Sequence, residues 1–319
     1  MAIGEFDLIK KYFATHDSGE GICLGVGDDC AIIDIPPQKQ LAITTDTQIE
    51  NVHFFKGTDP YQIGYKSLLV NVSDLAAMGA KPYCFTLSLT LPSSDEYFLE
   101  NFSKGLFSLS SKLNMPLIGG NITKGELSVT VSAYGLLPRG KALRRDGACI
   151  DDDIYVTGSL GLAGLAVELG YHHIELAGGA FEPCYKKSML IEDRCEFAVD
   201  LLDYAHSALD ISDGLVGDLN HILKSSEAGA LIWIDNIPYA KEFEQYCIDE
   251  KIRDHLCLYG GGDYELLFTA PIANREVISR ISEKHSVPVS RIGKIKNGSL
   301  HLTKHGKMYY QNEKTFEHF

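Results

Sequence analysis

Apolar and polar residues alternate along several segments of the chain, and a two-residue period is that of a half-buried β-strand. Elsewhere apolar residues recur every three or four positions, as they do on one face of a helix. Strands are predicted at residues 41–46, 83–91, 116–120, 127–137, 153–158, 230–235, 266–271 and 288–295. Helices are predicted at residues 59–79, from Ser93 onward, and at 159–170, 194–208 and 214–226, with a loop at 178–183. Strands and helices therefore alternate in both halves of the chain.

Local signals mark the ends of the first two predicted helices. Asp59 and Pro60 begin the first helix, because proline suits a first helical turn, and Gly79 provides a C-terminal cap. The second helix is predicted to begin at Ser93, with Glu96 three residues later completing a capping box. Both helices therefore belong to the first half of the chain.

The chain is long enough for two domains. It has 319 residues, and a domain of about 150 residues is typical. The Pro-Arg-Gly turn at residues 138–140 ends one run of strands and helices before a second run starts. We therefore predict an α/β (α+β) protein with an N-terminal domain at residues 1–138 and a C-terminal domain at 139–319.

Charge and composition narrow the classes of function. The formal net charge is −14, and so acidic a surface disfavours nucleic acid as a partner. No apolar run reaches the roughly 20 residues that span a bilayer, and residues 1–12 do not resemble a signal peptide. The eight cysteines form no C-x-x-C pair and suit reduced thiols. We predict a cytoplasmic protein without a membrane partner.

Aspartates recur at predicted turns and strand ends, where carboxylates can converge without the bulk of a helix. The positions are Asp28 and Asp29 after Gly25-Val26-Gly27, Asp46 at the predicted end of a strand beside Thr44 and Thr45, Asp74 on a helix face with Ser67 and Asn71, Asp210 and Asp213 around Ser212, and Asp263 after three glycines. Taken alone, each position is more simply explained by structure: a turn residue at Asp28 and Asp29, a solvated helix residue at Asp74, and helix caps at Asp210 and Asp213. Together, provided that they converge in space, they suit Mg²⁺, which is usually held by a few carboxylates and substrate phosphates.

Glycine turns and isolated basic residues are further candidate contacts for phosphate. Glycine lets backbone N–H groups approach phosphate oxygens, as at residues 119–120 and 260–262. Arg144 or Arg145 could clamp a phosphate, and His53 follows the Asp46 motif; a solvated surface pair and a structural histidine are the alternatives. The sequence has no P-loop and no dinucleotide-binding motif.

In order along the chain, these motifs resemble the thiamine-monophosphate kinase family, within the superfamily of aminoimidazole-ribotide-synthetase-like ATP enzymes. The matching segments cover nearly the whole chain: Gly4-Glu5-Phe6, GVGDDCA at 25–31, TTDT at 44–47, NVHF at 51–54, KSLLVNVSDLAAMGAKP at 66–82, LIGGN at 117–121, DIYVTG at 153–158, DISDGL at 210–215, GGGDYELLF at 260–268 and a final His-Phe. SDLAAMGA and the spacing of all the segments are the specific part of the match.

The resemblance implies a two-domain α/β fold, a homodimer that pairs through N-terminal strands, and a reaction. In that reaction the γ-phosphoryl group of ATP is transferred to thiamine monophosphate, with several Mg²⁺ ions, giving thiamine diphosphate and ADP. By matched position the resemblance implies metal ligands at Asp29, Thr44, Thr45, Asp46, Asp74, Asn121, Asp210 and Asp213, with Asp46, Asp74 and Asp210 central to catalysis. It implies nucleotide contacts at Gly120, Asn121, Arg145 and Ser212, and substrate contacts at His53, Gly262 and Asp263.

Three positions depart from the pattern of that family. Asn121 stands where the family has aspartate, and Gly262 stands where it has glutamate. The aromatic residue expected to stack on thiamine is Glu313 when counted from the C-terminus, with Phe316 as a substitute. These departures leave two alternatives open: a relative that acts on another small phosphate acceptor, or a nucleotide-binding protein with weak catalysis.

Overall fold

The computed structural model describes residues 5–14, 19–176 and 179–310, with only the backbone for Glu5 and Phe6. The chain divides into a first unit, Met1–Leu75 with Ala80–Lys141, and a second unit, Ala76–Gly79 with Ala142–Phe319. Gly4, Glu313, Phe316 and the final His-Phe lie outside the described residues. Within the described ranges, no helix is long and apolar enough to cross a bilayer.

The first unit contains a four-stranded sheet. Its elements are α1 (Glu5–Tyr12), β1 (Ile22–Leu24), β2 (Ile32–Ile33), β3 (Lys39–Ile49), α2 (Pro60–Ala77), β4 (Lys81–Leu91), α3 (Glu96–Lys112), β5 (Leu117–Lys124) and β6 (Ser128–Pro138). The strand order in the sheet is β3-β6-β4-β5, and β1 and β2 form a separate antiparallel pair. Only β4 and β5 are parallel neighbours, so the sheet is mixed.

Buried and partly exposed residues alternate strictly along β6, which shows that one face of the sheet is covered and the other is not. Helices α2 and α3 pack closely enough that their backbones touch. A Cβ atom on Gly105 would lie 1.9 Å from the carbonyl oxygen of Tyr61, and one on Gly64 would lie 2.1 Å from that of Phe102. Glycine at both positions is therefore required for this close helix pair.

The second unit contains a seven-stranded sheet. Its elements are β7 (Asp153–Thr157), α4 (Leu162–Gly170), α5 (Phe181–Met189), α6 (Cys195–Leu201), β8 (Ser207–Asp210), α7 (Leu215–Ser225), β9 (Gly229–Trp233), α8 (Glu242–Gln245), α9 (Glu250–Tyr259), β10 (Leu266–Ala270), α10 (Arg275–His285), β11 (Val289–Lys296), β12 (Leu300–Lys304) and β13 (Lys307–Tyr309). The strand order is β13-β12-β9-β11-β7-β10-β8. Every residue of β7, β8 and β10 is buried, as expected when both faces of a sheet are covered.

A buried ion pair joins the start of β10 to the start of α6. The Glu265 carboxylate accepts hydrogen bonds from Arg194 Nε at 2.7 Å and Nη2 at 2.6 Å, and from Thr157 Oγ1 at 2.6 Å. The side chains of Arg194 and Glu265 are only 10% and 7% exposed. Three donors on one carboxylate compensate for much of its lost hydration.

The predicted α/β class is confirmed, but several element ends differ from their predictions. Helix α3 is capped by Asp95 rather than Ser93, because the Asp95 carboxylate accepts bonds from the N–H groups of Tyr97 and Phe98. The segment predicted as one helix at 194–208 is α6 followed by β8, since Ser207 pairs with Thr269 in the sheet. The predicted loop at 178–183 overlaps the first residues of α5.

Replacing Arg194 by methionine should lower the free energy of unfolding by about 3–5 kcal/mol, because Glu265 would keep a buried charge without its counter-charge. Urea denaturation followed by circular dichroism measures the change. Lys104→Met is the matched control, since Lys104 pairs with Glu100 on the exposed surface of α3 and should cost much less. Equal losses in the two variants would contradict the prediction.

Candidate active site

Polar side chains of β3 and α2 meet in the first unit. Thr44 Oγ1 donates a hydrogen bond to Asp74 Oδ2 at 2.5 Å. The N–H of Asp46 donates to Asn71 Oδ1 at 3.1 Å, and Asn71 Nδ2 donates to the carbonyl oxygen of Ser67 at 3.1 Å. Asn71 belongs to α2 and is fully buried, so the bond from Asp46 links strand to helix, and the bond to Ser67 orients the Asn71 side chain. The predicted residues Thr44, Asp46 and Asp74 are therefore brought together.

The carboxyl groups of Asp46 and Asp74 are close enough to affect each other. Burial, followed by the charge of Asp74 and a hydrogen bond to it, raises the pKa of Asp46 from 3.8 to about 6. Two carboxylates that repel each other in partly dehydrated surroundings are stabilised by a shared proton or a shared cation. The pair is therefore suited to a divalent cation with oxygen ligands.

The hydroxyl group of Ser67 lies on the same helix. It is buried, and no described residue provides it with a hydrogen-bond partner. Buried hydroxyl groups are normally hydrogen-bonded, so this oxygen leaves a bonding position open. Ser67, Asn71 and Asp74 lie on one face of α2, as the helical spacing predicts. Ser67 precedes Asp74 by two helical turns, about 10 Å along the axis, so its hydroxyl does not join the Asp46–Asp74 pair.

Thr45 and the position of Asp46 in the strand require corrections. The exposed Thr45 side chain donates from Oγ1 to Ser132 Oγ at 2.8 Å, whereas Thr44 and Asp46 face α2. Successive side chains of a strand point to opposite faces, so the Thr45 hydroxyl cannot join the carboxylates. Asp46 lies inside β3 rather than at its end, because pairing with β6 continues to Ile49.

A cavity of about 520 Å³ in the first unit brings together two segments that the sequence singled out. Asp28 and Asp29 line it from one side, and Gly120 and Asn121 line it from β5. Gly120 has a φ of +154°, and a Cβ atom there would lie 1.9 Å from the carbonyl oxygen of Leu87. Any larger residue would push β5 away from β4, which explains the glycine.

The register of the sheet gives the separation of the two groups in the first unit. Asp46 pairs with Val131, Val131 pairs with Leu87, and Leu87 pairs with Gly120. Asp46 and Gly120 are thus three strand spacings apart, or about 14 Å. Since Mg²⁺ lies about 2.1 Å from its oxygen ligands, one ion cannot bridge both groups. A metal at Asn121, the next residue of β5, is therefore separate from a metal at Asp46.

In the second unit, the turn after β8 is organised by an aspartate that the sequence analysis missed. Asp210 ends β8, and Asp218 Oδ2 accepts hydrogen bonds from the N–H groups of Ser212 and Asp213, each at 3.0 Å. Burial raises the pKa of Asp218 to about 7. The sequence carried one signal for this role. An aspartate in the first turn of a helix lies near backbone N–H groups that lack partners, and Asp218 is in the first turn of α7.

His221 is a second residue that the sequence analysis missed. One of its ring nitrogens and carboxylate oxygens of Asp213 and Asp218 all lie within 4.8 Å of one another. His221 follows Asp218 by three residues, so helical spacing places both on one face of α7. Nitrogen and oxygen atoms this close are able to share a cation.

The glycine turn before β10 is tied to the turn after β8. The N–H of Gly262 donates to the carbonyl oxygen of Ser212 at 2.7 Å, so these two predicted residues are neighbours. Asp263 is buried, and its carboxylate accepts from the N–H groups of Gly161 at 2.7 Å and Ala163 at 3.2 Å. Those N–H groups belong to the start of α4, where helix geometry leaves donors free.

The remaining predicted contacts, His53 and Arg145, lie in different units. His53 Nδ1 accepts a hydrogen bond from the N–H of Ile49 at 3.1 Å, just beyond β3. Arg145 is exposed, and its backbone is fixed by Ser226 Oγ, which donates to the Arg145 carbonyl oxygen at 2.9 Å. Their roles in ligand binding stay predictions.

Comparison with known proteins identifies the two halves of the chain. The model of the AIR synthase related protein, N-terminal domain, matches residues 27–137. The model of the AIR synthase related protein, C-terminal domain, matches residues 150–304. The predicted two-domain fold of aminoimidazole-ribotide-synthetase-like proteins is therefore confirmed.

Individual relatives are similar over nearly their full length. Thiamine-monophosphate kinase of Escherichia coli (strain K12) is 43% identical over 298 residues, which are 92% of this chain and 91% of the relative. The crystal structure of thiamine-monophosphate kinase from Stenotrophomonas maltophilia K279a is 38% identical, with a TM-score of 0.83 over 91% of this chain and 93% of that one. The structure of AaThiL complexed with AMPPCP and TMP is 30% identical, with a TM-score of 0.75 over 90% and 89%.

The raised pKa of Asp218 predicts a pH dependence of stability in the metal-free protein. Its pKa is about 7 when folded and 3.8 ordinarily, so between these values the folded state binds more protons. Its contribution to the free energy of unfolding should therefore fall as the pH rises from about 5 to about 7. Asp218→Asn should remove that decrease.

Urea denaturation with EDTA at both pH values measures the effect. Asp249→Asn is the control, because Asp249 is an exposed cap of α9 that asparagine can replace. A wild-type decrease that persists unchanged in Asp218→Asn would contradict the assignment.

Proposed function

This chain belongs to the thiamine-monophosphate kinase family, and we propose that it transfers the γ-phosphoryl group of ATP to the phosphate of thiamine monophosphate, giving thiamine diphosphate and ADP. The 30% identical relative complexed with AMPPCP, an analogue of ATP, and TMP supports this donor and this acceptor. The observation that carries the proposal is the placement of Asp46 against Asp74, with the Thr44 hydroxyl beside them.

We propose Mg²⁺ as the cofactor, because these groups are carboxylate, hydroxyl and amide oxygens. The residues that would hold the ions are Thr44, Asp46 and Asp74 in one group, Asp29 and Asn121 in another, and Asp210 and Asp213 in the second unit. When bound, the ions supply positive charge that offsets the charge of ATP and of the transition state. Their number is more than one, since Asn121 on β5 is too far from Asp46 on β3 to share an ion with it.

The chain contributes positioning more than proton transfer. The acceptor is already a phosphate oxyanion, so the reaction needs no strong general base. Asn71, on α2, fixes the spacing of Asp46 and Asp74 because its Oδ1 accepts the hydrogen bond from the N–H of Asp46 on β3. Gly120 lines the cavity, where its backbone would contact phosphate oxygens, and Arg145 would offer a guanidinium group to the nucleotide. Small displacements of such groups are costly to rate.

Contacts to the substrate are assigned to His53 and to the glycine turn that contains Gly262. Asp263 belongs to this turn, but both of its oxygen atoms accept bonds from the start of α4. We therefore propose that Asp263 shapes the turn rather than touching the substrate. Gly262 has a φ of +88°, which a glutamate would adopt only with strain.

We also propose a homodimer that forms through the uncovered face of the sheet in the first unit. Ile43 on the edge strand β3 is 62% exposed and pairs with the partly exposed Tyr134 of β6. A large apolar residue on the open face of a sheet edge is typical of an interaction surface.

We further propose a cytoplasmic location, which is supported by the eight free thiols, four of them buried.

A coupled assay for ADP release with ATP, Mg²⁺ and thiamine monophosphate, with the product identified by mass, tests the reaction. Formation of thiamine diphosphate at a catalytic rate is the expected result. ATP binding without that product would contradict the proposal. It would favour another small phosphate acceptor or a nucleotide-binding protein with weak catalysis.

Asp46→Ala should lower turnover by at least about 100-fold, because loss of one carboxylate displaces the groups that position the phosphates. Thr47→Ala is the matched control. Thr47 is the next residue of β3, but its side chain bonds Thr130 on the opposite face at 2.9 Å. Circular dichroism confirms that both variants fold. Near-normal turnover of Asp46→Ala would exclude its role as a metal ligand.

Asn121→Asp should lower the Mg²⁺ concentration needed for half-maximal rate by several-fold. The substitution adds a carboxylate to a cavity that Asp28 and Asp29 already line, and carboxylates bind Mg²⁺ more strongly than amides do. Thr123→Asp is the control, because it adds the same charge two residues along β5, outside the lining of the cavity. Identical Mg²⁺ titrations for Asn121→Asp and the wild type would show that this position holds no metal.

A further inference from the structure

A second group of potential metal ligands lies in the second unit, among residues that have no part in the proposed phosphoryl transfer. The sulfur of Cys149, a carboxylate oxygen of Asp152 and a ring nitrogen of His206 all lie within 4.8 Å of one another. Thiolate, carboxylate and imidazole are the ligand types that Zn²⁺ takes. The mixture differs from the oxygen-only groups that suit Mg²⁺.

This group is separated from the proposed active site by the length of a strand. His206 directly precedes β8, and Asp210 is the last residue of that strand. Four residues of extended chain span about 13 Å. The neighbouring strand β10 runs the opposite way, so Thr269 pairs with Ser207 at one end and Leu266 pairs with Asp210 at the other. The two sites therefore do not share ligands.

The carboxylate of Asp152 is held in place before any metal binds. Asp152 is 3% exposed, and its Oδ2 accepts from the N–H of Cys149 at 2.9 Å and from Thr269 Oγ1 at 3.4 Å. Its Oδ1 lies 3.0 Å from His206 Nδ1. Outer hydrogen bonds to one carboxylate oxygen orient the other toward a metal, as they do in zinc proteins. Oδ1 is therefore presented to the space between Asp152, His206 and Cys149.

We propose that Cys149, Asp152 and His206 bind Zn²⁺, with water as an exchangeable fourth ligand. Ligand distances of about 2.0–2.3 Å in a tetrahedron place the ligand atoms roughly 3.3–3.7 Å apart. The contact of 3.0 Å between Asp152 Oδ1 and His206 Nδ1 must open by a few tenths of an ångström, and the sulfur must move inward. Cys149 and His206 are exposed, so both side chains are free to make these shifts.

One proton leaves the ligands when the metal binds. The thiol of Cys149, which now donates to the carbonyl oxygen of Gly147 at 3.5 Å, releases its proton and binds as a thiolate. His206 binds through Nδ1 as a neutral ring whose remaining proton is on Nε2. The resulting charge of one thiolate and one carboxylate balances that of Zn²⁺.

The metal would act as a structural link. Hydrogen bonds tie residues 144–149 to the start of β8 and to the end of α7. The N–H of Ala208 donates to the carbonyl oxygen of Arg144 at 3.2 Å, the N–H of Ala148 donates to Ser226 Oγ at 3.2 Å, and Ser226 Oγ donates to the carbonyl oxygen of Arg145 at 2.9 Å. Bonds from one ion to Cys149 and His206 join this segment directly to the start of β8. Zn²⁺ binding should therefore raise the melting temperature.

Co²⁺ replaces Zn²⁺ as a spectroscopic probe in the test. The reduced full-length chain, in excess Mg²⁺ to fill oxygen-only sites, is titrated with Co²⁺, and thiolate-to-cobalt absorption in the near ultraviolet is recorded. One equivalent should bind with this absorption, and added Zn²⁺ should abolish it. Cys149→Ser should lose the absorption, and His206→Asn should weaken binding at least about 10-fold.

Cys23→Ser is the matched control, because Cys23 is also an exposed thiol beside a carboxylate, with Sγ 3.2 Å from Asp34 Oδ2. This variant should titrate as the wild type does. Melting curves without metal show whether each variant is folded, and His206→Asn keeps a donor for Asp152. Absence of thiolate absorption in the wild type, or its persistence in Cys149→Ser, would overturn the proposal.

Discussion

Two carboxylates held close together in partly dehydrated surroundings repel each other. The packing of the first unit keeps Asp46 and Asp74 together in spite of this repulsion. Asp46 and Asp74 cannot separate, because Asn71 binds β3 to α2 and the glycines at 64 and 105 pack α2 against α3. The apolar core thus supplies the free energy that keeps the pair together. The consequence is a pKa of about 6 for Asp46 and a position that a divalent cation stabilises. Binding of metal and phosphate then follows from the packing of the sheet.

Buried carboxylates in the second unit have two kinds of hydrogen-bond partner. In the interior, Glu265 is matched by the guanidinium group of Arg194, and Asp153 is matched by Arg275 at 2.5 Å. In the turn after β8, by contrast, the carboxylate of Asp218 accepts hydrogen bonds from backbone N–H groups and has a raised pKa. A carboxylate whose two oxygens are both bonded to a guanidinium group has little capacity left for a ligand. Acids that lack a fixed positive partner are the ones available to a cation.

The sequence predicted elements with a clear period better than it predicted their ends or their long-range contacts. Helix α2 began and ended as its proline and glycine signals indicate, whereas α3 is capped by Asp95, because Asp and Ser are equally good caps and only geometry decides. Asp46 and Asp74 were singled out, yet their contact depends on packing between β3 and α2, which sequence spacing does not show. The face of Thr45 was predictable from strand alternation, and the role of Asp218 was not, since it required the turn itself.

The buried strand β8 separates two groups of potential metal ligands that differ in chemistry. Its four residues are buried and leave no room for a ligand, so polar groups collect only where the strand meets a loop. At its end, Asp210 leads into a turn of oxygen ligands, which suits hydrated ions and phosphates. At its start, His206 meets a thiol and a buried carboxylate, which suit a softer ion held without phosphate. The same strand carries His206 before its first residue and Asp210 as its last. A metal bound at the start of β8 would therefore stabilise the strand that holds Asp210 in place.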